Sequence, residues 1–446
     1  MAYLNGLINV EKKRPSQVDR ETFKLDRMRA LLDVLGNPER SCRYVHVAGS
    51  KGKGSTVEML QSCLSACQYA VGVFTSPHLI DVRERIRIGT EWILADDFAR
   101  LLGDCGHAAA GLPKKHGPVT YFEMLTAIGL CHFAEQAVDI AILEVGLGGR
   151  LDSTNVITPD VCCVTAIQLE HTEILGDTLA KIAGEKAGIF KPGVPALTME
   201  QAPEVMEVFR ERAEDVGCPL LVLGEDIEFT HRFESSVELG PHVRVSLTSP
   251  RSTYEHLPVP LKGHHQAHNC GLALAVLDKL RERGFDAPER EVAVGLAETP
   301  GAGRLELAWT NPRILLDGAH TPDSVEALIR AIGSHLRYDS MVAVVGVPAD
   351  KDVDGILDRV ALGADKVIFT KAANNPRAAD PADLERRFRD RHIKMTQVAD
   401  TLKDAINAAS RAVGRDDLIV VTGSFYLVGE AKMLLAEAEK RRQSES

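Results

Sequence analysis

Apolar positions along the chain fall into two alternating patterns, one helical and one strand-like. Phe23, Leu25, Met28, Leu31, Leu32 and Leu35 recur at helical spacing up to Gly36-Asn37-Pro38, which predicts an amphipathic helix. A short apolar strand within residues 43–56 then runs into a glycine-spaced turn and a helix over 55–69, and Val71 to Phe74 forms a second strand. Strand, helix, strand in that order implies a right-handed crossover and a parallel sheet. Residues 82–95 alternate, turn at Gly89-Thr90 and resume at Trp92, so a hairpin is expected there, its row of arginines on a solvated face. The pattern predicts a helix over 121–137, strands over 139–145, 161–167, 195–198 and 220–223, a β-rich stretch over 227–260 and a helix over 269–283. A Gly/Pro-rich break at Thr299-Pro-Gly-Ala-Gly303 marks a domain boundary. Beyond it, apolar strands over 314–316, 341–347, 366–370 and 418–421 alternate with helical stretches. The expected fold is α/β: a parallel-sheet domain over residues 1–299 and a smaller α/β domain over 300–446, whose last residues form a charged helix end fraying into solvent.

Composition narrows the function classes. At 446 residues and 45% hydrophobic content the chain has material for more than one core. A net charge of −11 argues against broad nucleic-acid binding. Nine cysteines without paired metal spacing read as thiols in a reducing cytosol. Neither a signal peptide nor an apolar run of about 20 residues is present, so a soluble cytoplasmic protein with no membrane partner is expected.

Candidate chemistry concentrates where strands end. The stretch His46-Val-Ala-Gly-Ser-Lys-Gly-Lys-Gly-Ser-Thr56 places glycines and a lysine between a strand and a helix N-terminus, a cradle for phosphate. It departs from the general G-x-x-x-x-G-K-[ST] pattern, with Val47 at the first glycine and Gly54 after the lysine. Lys53 is the partner for β- and γ-phosphates, and Ser55 or Thr56 offers a hydroxyl to a metal ion. Glu144, ending a buried strand ahead of glycines, fits a Mg²⁺ ligand. Arg150 and Asp152 either bind substrate or pair with each other. Thr75-Ser-Pro-His78 and Glu170-His-Thr172 end two further strands and could complete a metal shell. Lys186 is either a helix lysine paired with a carboxylate or an amine that adds carbon dioxide to give an anionic ligand. In open parallel sheets such loops converge on one crevice. The second domain adds Arg304, Asp317-Gly-Ala-His320 and Thr422-Gly-Ser-Phe-Tyr426.

Together, in this order, these stretches resemble the folylpolyglutamate synthase and dihydrofolate synthase family within the Mur ligase superfamily, across nearly the whole chain. The 46–55 loop is similar to the family's G-T-N-G-K-G-S loop, followed by Thr75–Leu79, Glu144–Asn155, His171–Thr178, Glu185–Gly188, His265-Gln266 with Asn269, Gly303–Glu306 and Thr422–Glu430. The resemblance implies a P-loop ATPase domain of the Mur central-domain type and a Rossmann-like C-terminal domain that closes over ATP and binds glutamate. It implies that Gly49, Gly52, Lys53, Gly54 and Ser55 grip the phosphates of ATP, with Asn269, Arg304 and Asp317 completing the nucleotide site. Ser76, Glu144 and His171 would hold two Mg²⁺ ions, supported by a carbamylated Lys186. Lys53, Lys186 and His320 would be catalytic, and Thr120, Tyr121, Phe122, Glu123, Leu151, Asp152 and Ser153 would contact the pterin. The implied reaction is ATP-dependent addition of L-glutamate to dihydropteroate, tetrahydrofolate or both, through an acyl phosphate, by a monomer. A cell-wall Mur ligase is the rival within the fold, although Lys53-Gly54-Ser55 departs from its usual G-K-[ST], and a non-catalytic nucleotide-binding protein is the rival outside it. Ser50-Lys51 in place of Thr-Asn, Glu170 in place of Asp, and Thr321 in place of Asn depart from the family pattern, the last leaving one second-domain contact open.

Overall fold

The computed structural model describes residues 2–12, 23–373 and 375–445. Eight strands form the first sheet: β1 (Arg43–Ala48), β2 (Val71–Phe74), β3 (Ile86–Ile88), β4 (Glu91–Trp92), β5 (Ile140–Glu144), β6 (Val161–Val164), β7 (Ala196–Met199) and β8 (Leu220–Leu223). Their order is β4-β3-β2-β5-β1-β6-β7-β8. All neighbours from β2 to β8 run parallel, and only β3 and β4 pair antiparallel at the edge. The central strands are apolar on both faces because helices cover both. Val45 and Val47 of β1 pack with the helices Lys53–Ala66 and His265–Glu282, whereas Tyr44 and Ala48 face the opposite layer. The β-rich stretch is a separate antiparallel sheet of β9 (Glu228–Ser236), β10 (Gly240–Thr248) and β11 (Thr253–Pro258).

The second sheet has β12 (Glu306–Thr310), β13 (Arg313–Leu316), β14 (Met341–Val345), β15 (Lys366–Phe369), β16 (Met395–Val398) and β17 (Leu418–Thr422), in the order β12-β13-β17-β14-β15-β16. It is parallel except for β12. The final helix, Phe425–Glu445, lies against the loop after β2, where Gly429 has no room for a side chain over the Leu79 carbonyl. His335, ending the helix Pro322–His335, ties the second domain to the antiparallel sheet: its Nδ1 donates to the Pro241 carbonyl of β10 (2.8 Å) and its Nε2 accepts from the Gly263 N–H (3.3 Å).

One expectation needs correction. Residues Val82–Arg85 form a 3-10 turn, so the hairpin is confined to β3 and β4. The cause is Glu84, whose carboxylate accepts from the N–H groups of Leu79, Ile80 and Asp81 at 2.7 Å each and curls the chain. Nor are the arginines a solvated row. Arg85 is 1% exposed and Arg87 is 7% exposed, because each meets a distant carboxylate, Glu11 and Glu58 respectively.

Candidate active site

Loops after β1, β2, β5 and β6 open into one cavity of about 700 Å³, whose far wall comes from Arg304, His320, Lys351, Arg377 and Tyr426. The phosphate cradle is anchored at its base. Ser50 and Lys51 both donate their N–H to the Ala166 carbonyl (2.9 and 3.1 Å), which pins the loop to the end of β6. Gly52 caps the helix Lys53–Ala66 at φ 94°, a conformation that favours glycine. A Cβ there would also strike the Asn269 amide, and one on Gly54 would strike the Arg304 guanidinium. The glycine after the lysine is therefore what lets a second-domain arginine reach the start of this helix. Lys53 Nζ donates to the Gly49 carbonyl (2.8 Å), as does Lys186 Nζ (2.8 Å). Burial lowers the Lys51 ammonium to about 8, beside Lys53 in the same cradle.

Glu144 stands beside that cradle, fully enclosed. Burial pushes its carboxyl above the ordinary range, with Lys53 and Arg304 opposing, and its Oε2 accepts from the Ser76 N–H at 3.4 Å. In the last turn of the helix Leu179–Ala187, Lys186 is 2% exposed and donates to Oε1 of Glu170, on the loop after β6 (2.9 Å). Burial lowers Lys186 to about 8 against the Glu170 charge. Burial works against the Glu170 charge too, but Lys186, Lys53, His171 and Lys51 outweigh it and hold the carboxyl at about 2. His171, at φ 47°, is driven to about 4 by burial and is a neutral imidazole.

Among the described residues no three His, Cys, Asp or Glu side chains come together as a metal shell. Mg²⁺ does not need one, since it keeps waters and takes phosphate oxygens beside one or two protein carboxylates. Buried Glu144 lines the cavity together with Ser55 and Ser76, which gives oxygen donors of that hard kind.

In the second domain, Asp317 does not line the cavity. Its oxygens accept from the N–H groups of Leu305 and Ala319 (both 2.9 Å), which fixes the loop carrying Arg304. Burial raises it to about 6. His320 Nδ1 donates to the Gly318 carbonyl (2.8 Å), so Nε2 is left as an acceptor; burial lowers this ring to about 3, and it brings no positive charge to a phosphate. Thr321 caps the helix Pro322–His335 in a reciprocal bond with Ser324.

Of the residues expected to meet the pterin, Thr120, Phe122, Glu123, Leu151, Asp152 and Ser153 line the cavity. Tyr121 is buried behind it, under the Arg85 guanidinium at 5.7 Å. Several are already engaged. Glu123 takes Arg27 Nε at 2.9 Å and caps its helix through Thr120. Asp152 accepts from the N–H groups of Gly146, Leu147 and Thr154 (3.1, 2.9 and 3.0 Å). Arg150 pairs with Glu185 at 2.9 Å, not with Asp152.

Comparison with known proteins adds lineage to this geometry. Residues 47–277 match the Mur ligase middle domain and residues 303–425 the Mur ligase glutamate ligase domain. The dihydrofolate synthase/folylpolyglutamate synthase of Bacillus subtilis is 33% identical, with 92% of this chain and 94% of the relative aligned. The chain belongs to the folylpolyglutamate synthase and dihydrofolate synthase family. As a member it is an ATP-dependent acid–amino-acid ligase. Mycobacterium tuberculosis folylpolyglutamate synthase complexed with ADP superposes with a TM-score of 0.86 at 33% identity, covering 97% of each chain. E. coli FolC in complex with DHPP and ADP gives 0.84 at 30% identity, covering 98% of this chain and 97% of the other. Relative to that synthase family's motifs, the sequence reading missed Lys351 and Arg377, which line the cavity from the loops after β14 and β15. The rule that ligands sit beyond parallel strand ends would have found both. Glu11 also lines the cavity, and no local signal marks it.

Proposed function

We propose that this ligase adds L-glutamate to both dihydropteroate and tetrahydrofolate. Residues 1–299 form the ATP and pterin unit, and residues 300–446 close over ATP and bind glutamate. The observation that carries the reading is the single cavity in which the Gly52–Ser55 cradle, Glu144 and the apolar faces of Phe122 and Leu151 share walls. The complex of E. coli FolC with DHPP and ADP supports a pterin beside a nucleotide in a fold of this kind. Gly49, Gly52, Gly54 and Ser55 line the triphosphate with backbone N–H groups, and Lys53 and Arg304 neutralise the γ-phosphoryl as it transfers. Asn269 orients the turn at Gly52, and Asp317 holds the Arg304 loop. A carboxylate oxygen of the acceptor attacks the γ-phosphorus and ADP leaves. The amine of L-glutamate then attacks the acyl carbon, phosphate departs with the attacking oxygen, and the amine loses a proton. His320 positions a donor through Nε2.

Glu144, Ser76 and His171 are the residues that would hold Mg²⁺ at two sites, where the ions supply charge stabilisation of the phosphoryl oxygens. Lys186, as a carbamate, would support them from the Glu170 side. Arginines from the second domain and helix termini from the first enclose the reaction, which keeps water from the acyl phosphate. The protein acts as a monomer in the cytoplasm. Acceptor labelled with ¹⁸O in its carboxylate tests the mechanism: one labelled oxygen is expected in the released phosphate. Unlabelled phosphate alongside ligated product would refute the acyl-phosphate route.

A further inference from the structure

A strap of chain from the N-terminus, residues 8–11, runs along the wall of the cavity that Phe122 also lines. Two anchors hold it. The Ile8 carbonyl accepts from the Tyr121 N–H at 2.9 Å, and the Glu11 carboxylate takes both terminal nitrogens of Arg85, at 2.7 and 2.6 Å. Arg85 is 1% exposed, so this is a bidentate pair with a desolvated guanidinium rather than a surface contact. Its remaining directed donor, Nε, goes to His78 Nδ1 at 2.8 Å. His78 ends the Thr75-Ser-Pro-His loop, whose Ser76 N–H donates to Glu144. A hydrogen-bonded path therefore leads from the strap, through Arg85 and His78, to the loop that touches the buried carboxylate of the phosphate end.

We propose that Glu11 is a positioning residue for the acceptor: it clamps the strap against Arg85, shapes the pterin side of the cavity, and through His78 sets the loop that carries Ser76. The inference rests on the pterin-ligase reading above, which places the acceptor beside Phe122. Glu11 touches no reacting atom in this scheme. Removing its charge leaves Arg85 buried and unpaired, so strap and loop lose their common anchor while the cradle at Gly52–Ser55, held by Ala166, keeps its own. The effect should fall first on the acceptor, and on ATP only through the Ser76 loop.

Steady-state kinetics of the full chain with Glu11→Gln, Arg85→Gln and the double variant test this, using dihydropteroate or tetrahydrofolate, whichever the wild type ligates. Glu11→Gln is expected to raise KM for the acceptor about 10-fold or more, with KM for ATP within about 2-fold, because removing the carboxylate leaves the buried Arg85 guanidinium without its counter-charge. The double variant is expected to cost no more than the worse single, since the two groups act as a unit. Glu11→Asp, which keeps the charge, should recover part of the loss. If Arg85→Gln does not fold, Glu11→Gln and Glu11→Asp decide the matter alone. Unchanged acceptor KM, an equal rise in both KM values, or strictly additive losses would overturn the proposal. A wild type that ligates neither pterin would instead overturn the reading on which it stands.

Discussion

A lysine whose ammonium ionises near pH 8 is an acceptor for carbon dioxide at neutral pH. Burial brings Lys186 to about 8 from an ordinary 10.5. At pH 7.5 roughly a quarter of it is then free amine, against about one part in a thousand for an exposed lysine, an advantage of roughly 200-fold for attack on carbon dioxide. The amine fraction grows as pH rises through 8 and shrinks to roughly 3% at pH 6.5. The amine lone pair attacks the carbon of CO₂ and a proton leaves, giving a carbamate beside Glu170, whose carboxylate is 2.9 Å from Nζ. Two anions at that distance repel, so the carbamate should accumulate when a divalent cation and ADP are bound. The perturbation is Lys186→Met, and the assay is ¹³C NMR of protein equilibrated with ¹³C-bicarbonate, Mg²⁺ and ADP across pH 6.5 to 8.5. A carbamate resonance that grows with pH in the wild type and is missing from the variant is expected. Its absence from the wild type at pH 8.5, or its persistence in Lys186→Met, would refute the reasoning.

Other consequences are independent of the carbamate. Lys53→Ala should abolish ATP-dependent ligation, with a loss of at least about 100-fold in kcat and an unchanged circular dichroism spectrum; full activity would sink the phosphate cradle. Gly54→Ala should lower kcat by driving the Arg304 guanidinium off the start of the helix, and Arg304→Ala should add little on that background, as a double-mutant cycle would reveal. Glu123→Gln breaks a pair whose side chains are 4% and 7% exposed; its signature should be a stability loss of about 3–5 kcal/mol in chemical denaturation, larger than its effect on acceptor KM.

What the sequence displayed and what it concealed separate along physical lines. Central strands such as β5, β14 and β17 are buried on both faces and read as apolar runs. The edge strands β12 and β16 are half exposed, mix polar residues among apolar ones, and escaped. The strand-end loops were legible because glycine and proline punctuate them, and four of these loops do converge on the cavity. Partners remote in sequence were not. Arg85 meets a carboxylate 74 residues away and Arg87 one 29 residues away, so neither arginine could be told from a solvated one. Asp317 shows the complementary difficulty: a strand-end acid has the same local appearance whether it faces a ligand or holds two backbone N–H groups. Lys186 and Glu170 lie 16 residues apart, and only the fold reveals that the lysine is desolvated.

The most direct test of the whole account is glutamate-dependent ADP release by the purified chain with dihydropteroate, tetrahydrofolate and a UDP-muramoyl acceptor in parallel, with products read by mass spectrometry. The account predicts turnover with both pterins, each product heavier by one glutamyl residue, and none with the UDP-muramoyl acceptor. Absence of ligation to either pterin would contradict it.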